Sequence, residues 1–451
     1  MKAWNADFTK KIEKEVARLQ NLGWYHSFEL PDGQVIPGIQ TLAQLRNRLR
    51  QFPVPQDLRG KRVLDIGAWD GWFSFEMEKR GASVVAVDAV QSEKFLIARE
   101  LLGSKVEFVL SDVYDLNPAE LGNFDVILFL GVLYHLKHPL LALEKVCALA
   151  TDLVCVESYV TDEGKKRNRK PCMEFYETTE LGGQFDNWVG PNVACLLSFC
   201  RAAGFARCSL ESVIHNRAHV TCCRKWDRQA GSEEPPYVVG VENSASHDQT
   251  FAANRDEYVS IWFKSSHGKL GDSDVFPEIG EYGARPALVL STGHDGWHAV
   301  VKVPPGLSPG WHELKIRVRD SAYSNVVRIG VGVPAPERRQ RGVATTEESA
   351  LKIESLGDGK TWERNQVRMR PAACISLWVR GLPPVCGAAD VIVRLNGNDL
   401  QSSFVSEADS AGVRQVNALL PSWLPAGKTS VTIAVESSVA EPVDVEILPG
   451  P

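Results

Sequence analysis

Between Arg62 and Trp226 the chain alternates short, wholly apolar runs with segments of helical period. RVLDIG is followed by WFSFEMEKR, SVVAVD by SEKFLIARELLG, DVILFL by PLLALEKVCALA, and LVCVES by VACLLSFCRAAG, with VEFVL between the second and third pairs. A strand that is apolar along its whole length is buried on both faces, and a helical connection of this size carries the chain from one parallel strand to the next. The pattern therefore predicts a doubly wound α/β sheet with helices on both sides. After the polar stretch RQAGSEEPP the helical period disappears, and β-branched runs divided by Gly, Pro, Asn and Asp take over, which predicts an all-β region.

A chain of 451 residues suggests about three domains, and 44% apolar with 24% charged residues is the balance of a soluble protein with several cores. The all-β half contains a repeat. Ile261-Trp262-Phe263-Lys264 is echoed by Leu377-Trp378-Val379-Arg380, and LSPGWHELKIRV (Leu307 to Val318) by LPAGKTSVTIAV (Leu424 to Val435), at nearly equal spacings. The charged bridge PAPERRQRGVATTEES separates the copies as a linker would. The expected division is residues 1–228 for the α/β domain with an N-terminal cap segment, then 236–334 and 345–451 for two immunoglobulin-like sandwiches. These β domains contain no set of acids, histidines or cysteines at ligand spacing, so they are expected to contact protein or oligomer partners. Of their tryptophans, Trp262, Trp297, Trp311, Trp378 and Trp423, most are expected in the core.

Net charge is −6 and the pI near 6.0, so nothing draws the whole molecule to nucleic acid, and any such partner needs a local patch. The one candidate is Lys165, Lys166, Arg167, Arg169 and Lys170, a run that could hold tRNA phosphates and could equally be a solvated loop. No run reaches the ~18 apolar residues of a membrane span, and the polar start MKAWNADFTKKIEKE lacks a secretory core. Ten cysteines without a CxxC fit neither a zinc site nor a disulfide framework. A cytoplasmic protein with reduced thiols is the expectation.

The stretch Val63 to Gly71 carries the chemistry. It reads as a strand, a turn with Gly67 and Gly71, and a helix opening near Trp72, with glycine giving the backbone its sharp turn and close approach to a ligand. The strand Ser83–Val87 ends in Asp88, about 20 positions after the first glycine, where an acid accepts hydrogen bonds from a ribose. The next strand runs into Ser111-Asp112, where a carboxylate could accept from an adenine amino group. The loop has neither the GxGxxG of dinucleotide folds nor GxxxxGK[ST], which moves the ligand toward an adenosyl group without phosphate, S-adenosyl-L-methionine. Each acid also has a plainer reading, Asp88 as a helix N-cap and Asp112 as a loop closure.

DIGAWDG (Asp65 to Gly71), Asp88, Ser111-Asp112 and FDVILFLGVLYHLKHPLLAL resemble the class I S-adenosylmethionine-dependent methyltransferases. Within them, Gly131-Val132-Leu133-Tyr134-His135 with Pro139, and upstream Trp24-Tyr25-His26 with Leu30 to Gly33, are most similar to the CmoB-type tRNA wobble-uridine methyl/carboxymethyl transferases. The resemblance covers about residues 20–226. It implies a Rossmann-like methyltransferase fold and donor binding by Asp65, Gly67, Trp69, Gly71, Asp88, Asp112 and Gly131. Trp69 stands where the family's loop usually has glycine. The tRNA enzymes use carboxy-S-adenosyl-L-methionine. Tyr134 matches their tyrosine, but no residue here matches their lysine, and a carboxylate buried without a cation costs several kcal/mol, so the plain donor is preferred.

Transfer to a hydroxyl oxygen needs a base near neutral pH. His135, just past the fourth strand, is the first candidate, with Tyr134 beside it as a hydrogen-bonding partner and His26 as a second base. Tyr25, Glu157 and Trp188 are expected to line the acceptor site, and Asn192 to cap the following helix. Arg217 and His219 on the last strand are expected to face outward. The functional expectation is methyl transfer to an oxygen or other heteroatom of a small hydroxylated metabolite or glycan. The alternatives are 5-hydroxyuridine 34 of tRNA as acceptor, or a non-catalytic binding protein on a degenerate methyltransferase scaffold.

Overall fold

The computed structural model describes residues 23–162, 170–227, 231–334 and 351–450, apart from 247, 254, 294, 371–372, 384–385, 396–397, 410, 421–423 and 436–437. The chain divides into two compact units, residues 1–226 and 227–451.

The first unit is built on a seven-stranded sheet. Its strands are β1 (Arg62–Ile66), β2 (Ser83–Asp88), β3 (Glu107–Leu110), β4 (Phe124–Leu130), β5 (Ala150–Tyr159), β6 (Arg207–Ile214) and β7 (Arg217–Cys223). They lie in the order β6-β7-β5-β4-β1-β2-β3. β1 to β5 are parallel, and β7 enters antiparallel between β5 and β6. The order reverses between β1 and β4, the place where sheets of this kind bind ligands at their carboxyl edge. Helices α1 (Leu42–Arg50), α2 (Trp72–Lys79) and α3 (Glu93–Leu101) cover one face, and α4 (Pro139–Leu149) and α5 (Val193–Ala203) the other.

Two cores follow from the period of two along each strand. Leu64 and Ile66 of β1 and Val85 and Val87 of β2 pack toward α4 and α5, whereas Val63, Val84 and Ala86 pack toward α1–α3. Local signals set the helix ends. Thr41 and Gln44 form a capping box at α1, and Asn192 caps α5 by accepting from the Cys195 amide, as the sequence predicts. α2 has no side-chain cap; Gly71 at its start is left-handed (φ 89°), which glycine adopts without strain.

The second unit contains only strands and short turns among the described residues. Its first half has β8 (Tyr237–Asn243), β9 (Thr250–Phe251), β10 (Tyr258–Lys264), β11 (Val275–Ile279), β12 (Pro286–Ser291), β13 (Gly296–Lys302), β14 (Gly310–Val318) and β15 (Val327–Val331). One sheet runs β8-β10-β13-β12 and the other β9-β15-β14-β11 followed by the two-residue strand Tyr282–Gly283, with β9 parallel to β15. The second half has β16 (Lys352–Asp358), β17 (Gln366–Arg368), β18 (Cys374–Arg380), β19 (Val391–Leu395), β20 (Asn398–Val405), β21 (Val413–Leu419), β22 (Gly427–Val435) and β23 (Val443–Leu448). Here the order is β16-β18-β21-β20 continuing through β19-β22-β23-β17, and β17 is parallel to β23. Strand for strand, the two halves have the same order. The repeated segments fall on β10 and β18, seven residues each, and on β14 and β22, nine each. Each half has its own apolar core.

The tryptophans depart from expectation. Trp297 is in the core, but Trp262 and Trp378 are half-buried on the outward side of their strands, and Trp311 is exposed. The reason is alternation: Ile261 and Phe263 point inward around Trp262, and Leu377 and Val379 around Trp378. Trp423 lies outside the described residues.

Candidate active site

The loop after β1 occupies the carboxyl edge at the order reversal. Gly67 (φ 75°), Trp69 (φ 53°) and Gly71 (φ 89°) are all left-handed. A Cβ on Gly67 would stand 2.3 Å from a methyl of Val132, and one on Gly71 2.7 Å from the rings of Phe75 and Phe95. Both glycines are thus fixed by packing as well as by the turn. Trp69 takes a conformation that costs a side chain roughly 1–2 kcal/mol, and its indole is 45% exposed.

Three aspartates, Asp65, Asp70 and Asp88, hold this loop, and Asp112 holds the neighbouring turn. Asp88, at the end of β2, accepts the Trp69 amide on one oxygen (2.9 Å) and the Val90 amide on the other (3.0 Å). Burial pushes its carboxyl above the usual range against the pull of those amides. Asp112 caps the turn after β3, accepting from the Tyr114 amide at 3.0 Å. Asp65, placed among the donor ligands by the sequence, is only 3% exposed and accepts the Ser74 hydroxyl at 2.6 Å. Burial raises it to about 6 against that hydrogen bond, and it supports the loop from behind rather than facing a ligand. The third aspartate, Asp70, is fully buried and was missed by sequence reasoning. It accepts the amides of Tyr25 (3.1 Å) and His26 (3.0 Å) and bonds the His26 Nδ1. The N-terminal block is thereby tied to the loop.

A charged cluster lies at the ends of β5 and β7. Glu157, at the end of β5, was expected to touch substrate, but it is 1% exposed and is taken up by Arg48 of α1 (2.6 Å), with Arg217 Nη1 of β7 at 3.5 Å. A carboxylate so deep in the fold has to be met by cations, and two converge on it. Arg217 and His219, two apart on β7 and so on one face, turn toward Glu157, contrary to the favoured outward reading. Arg217 donates to the Tyr134 hydroxyl at 2.7 Å and lies over its ring. His219 is 2% exposed, packs on Phe52, and burial lowers its titration below the usual histidine range. Arg48 also donates to Gln40, which donates to the Tyr25 hydroxyl at 2.9 Å. Gly131 (φ 79°) looks onto the same cluster: a Cβ there would meet Arg48, Tyr134 and Arg217 at 3.7–3.8 Å.

His135 lies on a short 3₁₀ turn beside Tyr134, with Nδ1 3.1 Å from the Asp186 carbonyl oxygen. Burial lowers its titration despite that bond, so the ring is neutral near pH 7. Trp188 is half-buried, its amide donates to the Tyr134 carbonyl (2.8 Å), and Lys137 lies over its ring at 4.1 Å. The structure therefore brings Tyr25, Tyr134, Arg48, Arg217 and Glu157 together, and sets His135 and Trp188 next to Tyr134. Lys170 is exposed; Lys165, Lys166, Arg167 and Arg169 lie outside the described residues.

Residues 38–220 match a family model described as a methyltransferase domain. The first unit carries a methyltransferase domain. Among curated proteins, the chain is similar to a tRNA U34 carboxymethyltransferase of Pseudomonas paraeruginosa, 34% identical over 173 residues, which is 36% of this chain and 52% of that protein. The chain thus spans about half the length of the curated relatives it matches. Among solved structures, the methyltransferase domain is similar to the N-terminal domain of EvdMO1 with SAH bound, at 18% identity and TM-score 0.36, over 48% of this chain and 95% of that one. It is also similar to the 1,6-didemethyltoxoflavin-N1-methyltransferase of Burkholderia thailandensis, at 22% identity and TM-score 0.29, over 38% and 72%.

Proposed function

We propose that the methyltransferase domain uses S-adenosyl-L-methionine to methylate an oxygen of a small hydroxylated metabolite or glycan. The observation that carries this reading is the Asp88 carboxylate, held at the end of β2 against the left-handed loop by the Trp69 amide. Each oxygen of Asp88 accepts one amide and has a second lone pair, so the carboxylate fits a ribose diol. When bound, the sulfonium supplies an activated methyl group, and the chain's work is to position the acceptor, exclude water and take a proton. His135, which burial keeps neutral, and His26 are the imidazoles placed to take it.

A second reading has a specific observation behind it. The preference for the plain donor rested on the lack of a cation beside Tyr134, and Arg217 supplies one at 2.7 Å. That pair suits a donor bearing an extra carboxylate, and relatives named tRNA U34 carboxymethyltransferase make wobble uridine the matching acceptor. For the second unit we propose two immunoglobulin-like domains divided near residues 335–345. The shared strand order supports this, as does the parallel pairing of β9 with β15 and of β17 with β23. We take them to be protein-contact or oligomerisation modules. A cytoplasmic location fits ten cysteines of which none is joined in a disulfide.

Isothermal titration with S-adenosyl-L-methionine, and separately with its carboxylated form, tests the donor. We expect binding by the parent and a loss of at least about tenfold in Asp88→Ala, from one or two charge-assisted hydrogen bonds. No binding of either compound to the parent overturns the reading, and preference for the carboxylated compound selects the second.

A further inference from the structure

His26 and Asp70 form a buried pair that neither the donor loop nor the charged wall requires. Asp70 is wholly inaccessible and His26 5% exposed. One Asp70 oxygen accepts two consecutive amides, of Tyr25 and His26, and the other bonds the His26 Nδ1. Swinging the imidazole away breaks the Nδ1 bond, while the two amide bonds hold the His26 backbone against the same carboxylate. Gly38 reinforces this, since a Cβ there would lie 2.4 Å from the His26 carbonyl carbon. The ring lies edge-on to Tyr25 (4.9 Å) and Phe73 (5.7 Å). The titratable groups that face it are Asp70, Tyr25 and, acting at longer range through its charge, Asp65.

We infer that His26 is the base that accepts the acceptor's proton and that Asp70 is the positioning residue that makes it one. The inference rests on the methyl-transfer reading above. A carboxylate on Nδ1 holds the proton there and leaves the Nε2 lone pair as acceptor, the arrangement that orients histidine bases elsewhere. Nε2 makes no hydrogen bond to any described residue, and the His26 side chain keeps 6% of its surface exposed. His135 differs: its Nδ1 faces a main-chain carbonyl, and the nearest carboxylate, Asp186 at 3.5 Å, is 56% exposed. Asp70 also belongs to the donor loop, so one turn sets both donor and base. In the transfer, the acceptor oxygen bonds to the methyl carbon, the electron pair of the methyl–sulfur bond stays on sulfur, and the hydroxyl proton passes to His26 Nε2. Water then takes that proton.

The test uses the full chain with S-adenosylhomocysteine bound and ¹⁵N-labelled histidine. We expect one imidazole fixed as the Nδ1–H tautomer, with its signal assigned by its loss in His26→Gln. Its Nε2 should react with diethyl pyrocarbonate, read by peptide mass, and Asp70→Asn should release the tautomer while keeping the side-chain volume. With 5-hydroxyuridine as acceptor probe, His26→Gln should lower methyl transfer roughly 100- to 10,000-fold and lose the acid limb of the pH profile, while donor binding by calorimetry is retained. His135→Gln should keep that limb. A His26 ring protonated on Nε2, a ring inert to the reagent, or a His26→Gln enzyme that keeps its turnover and acid limb overturns the inference. Failure of the donor to bind the parent would instead remove the underlying reading, so the two failures are distinguishable.

Discussion

On the proposed donor side of the site, the carboxylates of Asp65, Asp70 and Asp88 are met by a hydroxyl, an imidazole and main-chain amides; on the proposed acceptor side, Glu157 is met by two guanidinium groups. The difference decides how each wall responds to change. Amides and hydroxyls stabilise a carboxylate without fixing its charge, so these acids can titrate with their surroundings. Guanidinium groups do not titrate and cannot be withdrawn, so the second wall is a charge balance that a single substitution upsets. One wall is set to shape a loop, and the other to hold a tyrosine and two cations in place.

Removing the balancing charge should give the largest effect. Glu157→Ala leaves the half-buried Arg48 and Arg217 near each other without their shared carboxylate, and a loss of about 3 kcal/mol of stability, the low end for breaking a buried pair, is expected from urea unfolding. The double variant Glu157→Leu with Arg48→Met should recover part of it, because an apolar pair of similar volume carries no desolvation penalty. If Glu157→Ala costs less than about 1 kcal/mol, the wall is solvated and the contrast with the donor side collapses.

The two walls were also unequally legible. The donor loop is one continuous stretch, and its acids stand at the ends of successive strands, so Gly67, Gly71, Asp88 and Asp112 could be placed from spacing. The charged wall joins Arg48, Glu157 and Arg217 from a helix before the first strand, the fifth strand and the last, and no local pattern links them. The orientation of Arg217 and His219 on the last strand was not legible, because their partners Tyr134 and Glu157 come from distant parts of the chain. Asp70 was hidden differently: it lies inside the quoted motif, but its partner is a histidine 44 positions earlier. The outward Trp262 and Trp378 could have been found, since each sits between two apolar neighbours of inward phase.

The titrating character of the donor wall is tested at Asp65. Its carboxyl is raised to about 6 by burial, above the ordinary 3.8. The folded state therefore prefers the protonated acid, so this group's contribution is fully present below about pH 4 and is lost as pH rises through about 6. Asp65→Asn keeps an acceptor for Ser74 and does not ionise. Relative to the parent it should gain about 2–3 kcal/mol between pH 4 and pH 8, measured by denaturant unfolding at each pH. A difference independent of pH would mean that Asp65 is ionised throughout and that the donor wall also rests on fixed charge.

The smallest effect sharpens the comparison within the donor loop itself. Trp69 and Gly71 are both left-handed, but Gly71 has rings at 2.7 Å from where a Cβ would be, whereas the Trp69 side chain is 45% exposed. In Trp69→Gly, relief of the left-handed penalty, roughly 1–2 kcal/mol, is offset by the 0.5–1 kcal/mol or so that glycine loses in chain entropy on folding. The net change in stability should stay within about 1 kcal/mol. Donor affinity then reports on what the indole does. If calorimetry shows the same affinity in Trp69→Gly, the tryptophan is tolerated in a glycine position and the Asp88 contact to its amide is what matters. If affinity falls while stability holds, the exposed indole is part of the donor site, and the loop binds through a side chain where glycine would have offered only backbone.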